Sequence, residues 1–144
     1  MSRESALLIA VLGWLCLLVA VAASGAELKI HVTGLGSGKG EVHYAVYSDA
    51  EFFPRREGRI AKGAVKAKAA GVTMVVRDLA PGTYAVAVFH DENGNDRFDR
   101  GFLGIPLEDY GFSNNAPVFF GPPSFADAAF DLGDKGAEIA IRLD

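Results

Sequence analysis

Short runs in which hydrophobic and polar residues alternate recur along the chain beyond residue 27. Residues 28–33 follow the period-2 pattern of a half-buried strand. A glycine-rich turn over residues 34–40 leads to a second alternating run at residues 42–46. Because a short turn joins them, we expect these two strands to form a hairpin.

Further strands are expected along the rest of the chain. In residues 65–69 the apolar residues alternate with Lys66 and Lys68, which predicts an edge strand whose lysines prevent pairing with another chain. Residues 83–89 are apolar on both faces and predict a central strand, whereas Asp49 to Gly63 predicts a long polar connection. Other short strands are predicted at residues 72–76, 118–120, 130–132 and 138–143. The pattern therefore predicts an all-β fold, an antiparallel Greek-key β-sandwich of about seven strands with one long ordered acidic loop.

The first 26 residues differ in character from the rest. Leu7 to Val21 is wholly apolar or glycine, and small residues follow at 22–26. This order predicts a signal peptide, residues 1–26, cleaved after Ala23 or Ala26, and a single domain over residues 27–144. The alternative is an uncleaved membrane anchor, because residues 6–23 form an 18-residue stretch close to the length of a span. With the signal removed, we expect a periplasmic or secreted protein without a membrane span.

Composition narrows the chemistry further. The single cysteine, Cys16, lies inside the predicted signal, so the domain has no thiol for a disulfide or a cysteine-ligated metal. The formal net charge is −4. A mildly acidic domain offers no electrostatic footprint for nucleic acid, and no nucleic-acid partner is expected.

The segment from His90 to Asn115 is rich in acidic residues and asparagine. Asp91, Asn93, Asn95 and Asp99 occupy relative positions 1, 3, 5 and 9, which are side-chain ligand positions in an EF-hand-type calcium loop. This spacing predicts a Ca²⁺ site. In the alternative, the same residues are turn formers whose side chains bond the local backbone.

The remaining positions of this loop both support and modify the match. Arg97 stands at position 7, where the backbone carbonyl is the ligand. Position 6 is Asp96 in place of glycine, and position 12 is Phe102 in place of glutamate. We therefore expect Glu108 to supply the missing carboxylate and the affinity to be weak, on the order of 10⁻⁴–10⁻³ M.

Other side chains admit structural or chemical interpretations. Tyr84 follows a turn in an arrangement typical of a tyrosine corner, in which the phenol bonds back to the backbone. In the expected hairpin, His31 and His43 would be cross-strand neighbours able to bind Zn²⁺ or Cu²⁺. In the alternative, both are solvated surface residues. His90 is expected to bond within the acidic loop and orient a carboxylate. An aromatic group is expected to form a satellite core: Tyr110, Phe112, Phe119, Phe120 and Phe125.

Several segments carry a family resemblance: HDENGNDRFD, FLGIPLEDYGFSNN, GPPSFADAAF and DLAPGTYAVAVFHDENGN. Together they resemble the DUF2141 family of exported bacterial proteins, over essentially the whole predicted domain. The resemblance implies a small β-sandwich, similar to transthyretin-like and carboxypeptidase-regulatory-like folds, in the bacterial envelope or outside it. It implies no activity.

Three functional hypotheses follow. The first is a non-enzymatic exported module with a Ca²⁺-ordered loop that binds an unknown protein or polysaccharide of the envelope. The second is a hydrolase acting on an envelope glycan or ester through His90, Asp91 and Glu108. The third is a carrier or adhesin domain that holds a small apolar ligand beneath the segment Phe119–Phe125.

Overall fold

The computed structural model describes residues 25–144, which form two β-sheets around a shared hydrophobic core. The predicted signal peptide lies almost wholly outside the described residues. A four-residue helix, α1 (Phe125–Ala128), and three 3₁₀ turns at Arg56–Gly58, Phe102–Gly104 and Ser113–Asn115 accompany the strands. The strands are β1 (Ala26–Thr33), β2 (Glu41–Tyr47), β3 (Arg59–Lys66), β4 (Val72–Leu79), β5 (Gly82–Asp91), β6 (Tyr110–Phe112), β7 (Phe130–Leu132) and β8 (Ala137–Arg142).

The smaller sheet has the strand order β4-β1-β8, and the larger has the order β3-β2-β5-β6, with β7 also paired to β5. These two sheets confirm the predicted all-β sandwich. All strand pairs are antiparallel except β1 and β8, which run parallel. Between residues 25 and 144, no helix has the length and apolar character needed to cross a membrane.

Strand β5 lies at the centre of the larger sheet and is covered on both faces, as its apolar run predicts. Val86 is fully buried in the core between the sheets. Ala85, its neighbour, points to the opposite face and is fully buried in a second cluster with Phe53 and Phe112. Both faces of the strand are thereby packed ahead of its end at Asp91.

The tyrosine corner is confirmed at the start of β5. The Tyr84 hydroxyl donates to the carbonyl oxygen of Ala80 at 2.6 Å, and the ring is 6% exposed. The bond closes the tight turn between β4 and β5.

Three expectations about elements were wrong. Strands β1 and β2 do not form a hairpin, because they belong to different sheets. Strand β3 is the predicted lysine-bearing edge, but it begins at Arg59, inside the expected polar connection. Residues 118–120 form no strand, and Phe119 and Phe120 are 77% and 113% exposed rather than part of a satellite core. Tyr110, Phe112 and Phe125 do pack in that second cluster.

Candidate metal centre

The acidic loop connects β5 to β6, and its first residue is the most buried charge of the region. Asp91 has no solvent exposure. Its Oδ1 accepts the amides of Gly94 at 2.8 Å and Asn95 at 3.2 Å, and its Oδ2 accepts the amide of Asp96 at 2.7 Å. Gly94 and Asp96 have φ values of 70° and 60°, which turn successive N–H groups inward. The carboxylate of Asp91 therefore fixes the tight turn that follows β5.

Asp99 gathers the two asparagines on the other side of the loop. Its Oδ2 accepts Nδ2 of Asn93 at 2.7 Å and Nδ2 of Asn95 at 2.8 Å. Asn93 Oδ1 accepts the backbone amide of Asn95 at 3.0 Å, and Asn95 Oδ1 accepts the backbone amide of Arg97 at 2.9 Å. The two asparagine side chains thus meet Asp99, but a cation bound by their amide oxygens requires both of them to rotate.

Glu108 joins the same cluster from the far end of the loop, where sequence reasoning expected it. Its Oε2 accepts the amide of Asp99 at 2.9 Å. Its Oε1 is buried and has no hydrogen-bond partner within residues 25–144. Burial raises the pKa of the Glu108 carboxyl, the Asp99 amide lowers it, and the nearby Asp99 and Asp91 carboxylates raise it again. The nearby His43 also lowers this pKa, and the net direction is upward because burial is the largest cause.

The two interpretations of the loop thus share one geometry. Side-chain hydrogen bonds join Asn93 and Asn95 to Asp99, Glu108 accepts the Asp99 amide, Asp91 accepts the Asn95 amide, and Arg97 contributes its amide to the turn. The alternative drawn from the sequence, turn formers that bond the local backbone, describes most of these contacts. The buried Glu108 Oε1 has no hydrogen-bond partner among the described residues, and it is the feature that fits a cation.

An apolar tip, defined as residues 102–105, extends from the same loop. The Leu107 amide donates to the Asp99 carbonyl at 3.0 Å, and Arg100 bridges to Pro106 in antiparallel fashion. Above this base, Phe102, Leu103 and Ile105 are 86%, 83% and 61% exposed. The acidic cluster therefore sits at the base of an exposed hydrophobic projection.

His90, Ser113 and Ser124 have structural partners. His90 is 2% exposed, its ring Nε2 lies 2.7 Å from the Lys39 carbonyl of the residue 34–40 turn, and its backbone amide donates to the Asp109 carbonyl of the acidic loop at 2.8 Å. Ser113 is fully buried and bonds backbone groups of Val86 and Ala128. The Ser124 hydroxyl caps α1 by accepting the Asp127 amide at 3.1 Å.

The sequence interpretation missed a cluster formed by Glu41, His43 and Asp96, whose ligand atoms all lie within 4.8 Å of one another. It paired His43 with His31, but His31 is in the other sheet and contacts Thr73 and Glu138. The pairing of β2 with the central strand is what would have revealed this cluster. Antiparallel pairing of β2 with β5 places Glu41 opposite Asp91 and so brings β2 to the acidic loop.

A family model described as "Uncharacterized protein conserved in bacteria (DUF2141)" matches residues 30–140. No curated protein and no solved structure gives a significant match to the chain. The expected likeness to transthyretin-like and carboxypeptidase-regulatory-like folds therefore stays a prediction.

Proposed function

The chain belongs to the DUF2141 family of bacterial proteins, and from its own geometry we propose a non-enzymatic, exported β-sandwich module with a Ca²⁺-ordered loop. The ordered loop presents the apolar tip to a protein or polysaccharide of the bacterial envelope. One observation carries the proposal: the buried, unpartnered Oε1 of Glu108 beside Asp99 and Asp91.

The electrostatics of the loop support a cation. Burying a carboxylate oxygen without a partner costs on the order of 1–3 kcal/mol, and neighbouring like charges add to that cost. A hard divalent ion removes both costs at once, and carboxylate and amide oxygens are the ligands that Ca²⁺ takes. Asp91, Asn93, Asn95, Asp99 and Glu108 would hold the ion, with the Arg97 carbonyl completing the shell.

The backbone of the apolar tip supports a contact function. Leu103 has φ 60° and ψ 18° and is 83% exposed. A left-handed conformation costs a non-glycine residue about 1–2 kcal/mol, and this side chain gains little packing in return. Exposed apolar residues kept under strain are a feature of contact surfaces.

Export is the proposal that accounts for the apolar first segment of the sequence. Ala26 is 3% exposed and pairs with Leu79 as the first residue of β1, so cleavage after Ala23 leaves the strand complete. The intact mass of the mature protein checks this cleavage site.

The two alternatives receive less support. The ring of His90 is held by the Lys39 carbonyl, which suits a structural role better than acid–base chemistry. Phe119 and Phe120 project from the surface, which gives a small apolar ligand little enclosure.

Thermal unfolding with and without calcium tests the loop proposal. At a calcium concentration ten times Kd, we expect a gain of about 1.4 kcal/mol and a higher Tm. Glu108→Gln should lose this gain, because a neutral amide binds Ca²⁺ more weakly. Glu92→Gln, an exposed acid of the same loop, is the matched control and should keep it. A melting curve that calcium leaves unchanged in the wild type overturns the proposal.

A further inference from the structure

The cluster of Glu41, His43 and Asp96 lies beside the acidic loop but shares none of its proposed calcium ligands. Glu41 and His43 are two apart on β2 and so project from the same face of the strand. His43 Nε2 lies 3.8 Å from Glu41 Oε2 and 3.8 Å from Asp96 Oδ1. Strand and loop thus bring one nitrogen and two carboxylates to one point.

The imidazole nitrogen at this point is short of a partner. His43 Nε2 is buried and forms no hydrogen bond with any residue from 25 to 144. Its neighbouring carboxylates stand at 3.6–3.8 Å, beyond hydrogen-bond distance, and they include Asp91 Oδ2. The ring stacks on Phe89 with centroids 4.8 Å apart and 17° between planes, which fixes the plane of the imidazole.

We propose that Glu41, His43 and Asp96 form a binding site for a divalent transition-metal ion of the Zn²⁺ type. One imidazole and two carboxylates suit Zn²⁺, whereas Ca²⁺ takes oxygen ligands alone. With Zn–N and Zn–O distances of about 2.0–2.2 Å, tetrahedral ligand atoms stand about 3.3–3.6 Å apart. The two separations from His43 Nε2 are 3.8 Å and all three ligand atoms lie within 4.8 Å of one another, so the exposed carboxylates reach that geometry by moving inward by up to about 1 Å.

The site goes beyond the proposed calcium function, because it uses a different ion and different residues. Three protein ligands leave the fourth tetrahedral position to water or to an external donor. Asp91 belongs to the proposed calcium site and keeps its three backbone amides, and its Oδ2 lies 3.6 Å from His43 Nε2, so the two sites are neighbours. An ion at the new site would join β2 to the acidic loop through Asp96.

Isothermal titration of the mature chain with a zinc salt alone tests the proposal. We expect one ion per chain in the wild type and at least a tenfold loss of affinity in His43→Gln and in Asp96→Gly. Glycine is a suitable replacement at position 96, because Asp96 has a φ of 60° and glycine adopts positive φ without strain. His31→Gln is the matched control, since His31 pairs with a single carboxylate, Glu138, and it should bind zinc as the wild type does.

The outcomes separate the two sites. Glu108→Gln should keep zinc binding and lose the calcium effect, whereas Asp96→Gly should do the reverse. If His43→Gln fails to fold, Asp96→Gly alone decides the question. A wild type that binds no zinc, or zinc binding that survives both site substitutions, overturns the proposal whatever calcium does.

Discussion

At the scale of single residues, the acidic loop is organised around carboxylates with very different surroundings. Asp91 receives three backbone amides, whereas one oxygen of Glu108 receives none in the described domain. The spacing of oxygen-bearing residues predicted that these side chains converge. It did not predict which oxygens the backbone would occupy, because those bonds depend on the positive φ angles at Gly94 and Asp96.

The pKa of Glu108 predicts a pH-dependent stability in calcium-free buffer. Burial raises this pKa above the ordinary value of 4.5, so the folded state takes up the proton more readily than the unfolded chain. The Glu108 contribution to the free energy of unfolding therefore grows as pH falls through the raised pKa and levels off below 4.5. Above the raised pKa, the charged side chain destabilises the fold.

Urea unfolding of the wild type and Glu108→Gln at several pH values measures this effect. The glutamine carries no charge at any pH, so the free energy of unfolding of the variant should exceed that of the wild type by most at neutral pH. Its relative advantage should shrink toward pH 4.5. A stability difference that does not change with pH would contradict the stated environment of Glu108.

At the scale of elements, the strands were easier to predict than their partners. Alternation and apolar runs located β1, β2, β4 and β5 in the sequence, because side chains of a half-buried strand repeat with period 2. Which strands pair depends on contacts between residues distant in the sequence, which alternation does not reveal. The expected β1–β2 hairpin was therefore wrong, because the two strands belong to different sheets. The start of β3 was missed because small residues, Ala61 and Gly63, occupy its inward positions and give little hydrophobic signal.

Ser113 joins three elements and is a sharp test of the packing. Its Oγ accepts the Val86 amide of β5 at 2.9 Å and donates to the Ala128 carbonyl of α1. Ser113→Ala leaves both groups buried without that partner and should lower the free energy of unfolding by about 1–3 kcal/mol. Chemical denaturation measures the loss. The exposed Ser48→Ala is the control and should change stability by less than about 0.5 kcal/mol.

At the scale of the whole molecule, the unusual chemistry collects at one end of the larger sheet. The end of β5, the start of β2 and the loop to β6 meet there, because β2 and β5 are antiparallel. The acidic cluster, the Glu41–His43–Asp96 cluster and the apolar tip all belong to this end. The sequence pointed to the acidic cluster alone, since the other two depend on strand pairing and on the path of the loop.

Replacing the strained Leu103 of the apolar tip should raise stability while removing part of the proposed contact surface. Leu103→Gly relieves the left-handed backbone, so the free energy of unfolding should rise by up to about 1 kcal/mol after the added flexibility of the unfolded chain is counted. Leu107→Gly is the control, because Leu107 is exposed in the same loop without a positive φ and packs on Gly101. It should lower stability. Denaturant titration compares the two, and a loss in Leu103→Gly similar to that in Leu107→Gly would contradict the argument.

The parallel pairing of β1 with β8 links the first strand of the domain to the last. Ile30 and Ile139 are register partners more than one hundred residues apart in the chain. While the polypeptide emerges from the ribosome, β1 therefore keeps an open edge until β8 has been made. The smaller sheet therefore cannot be completed before β8 emerges, however early its other two strands are made.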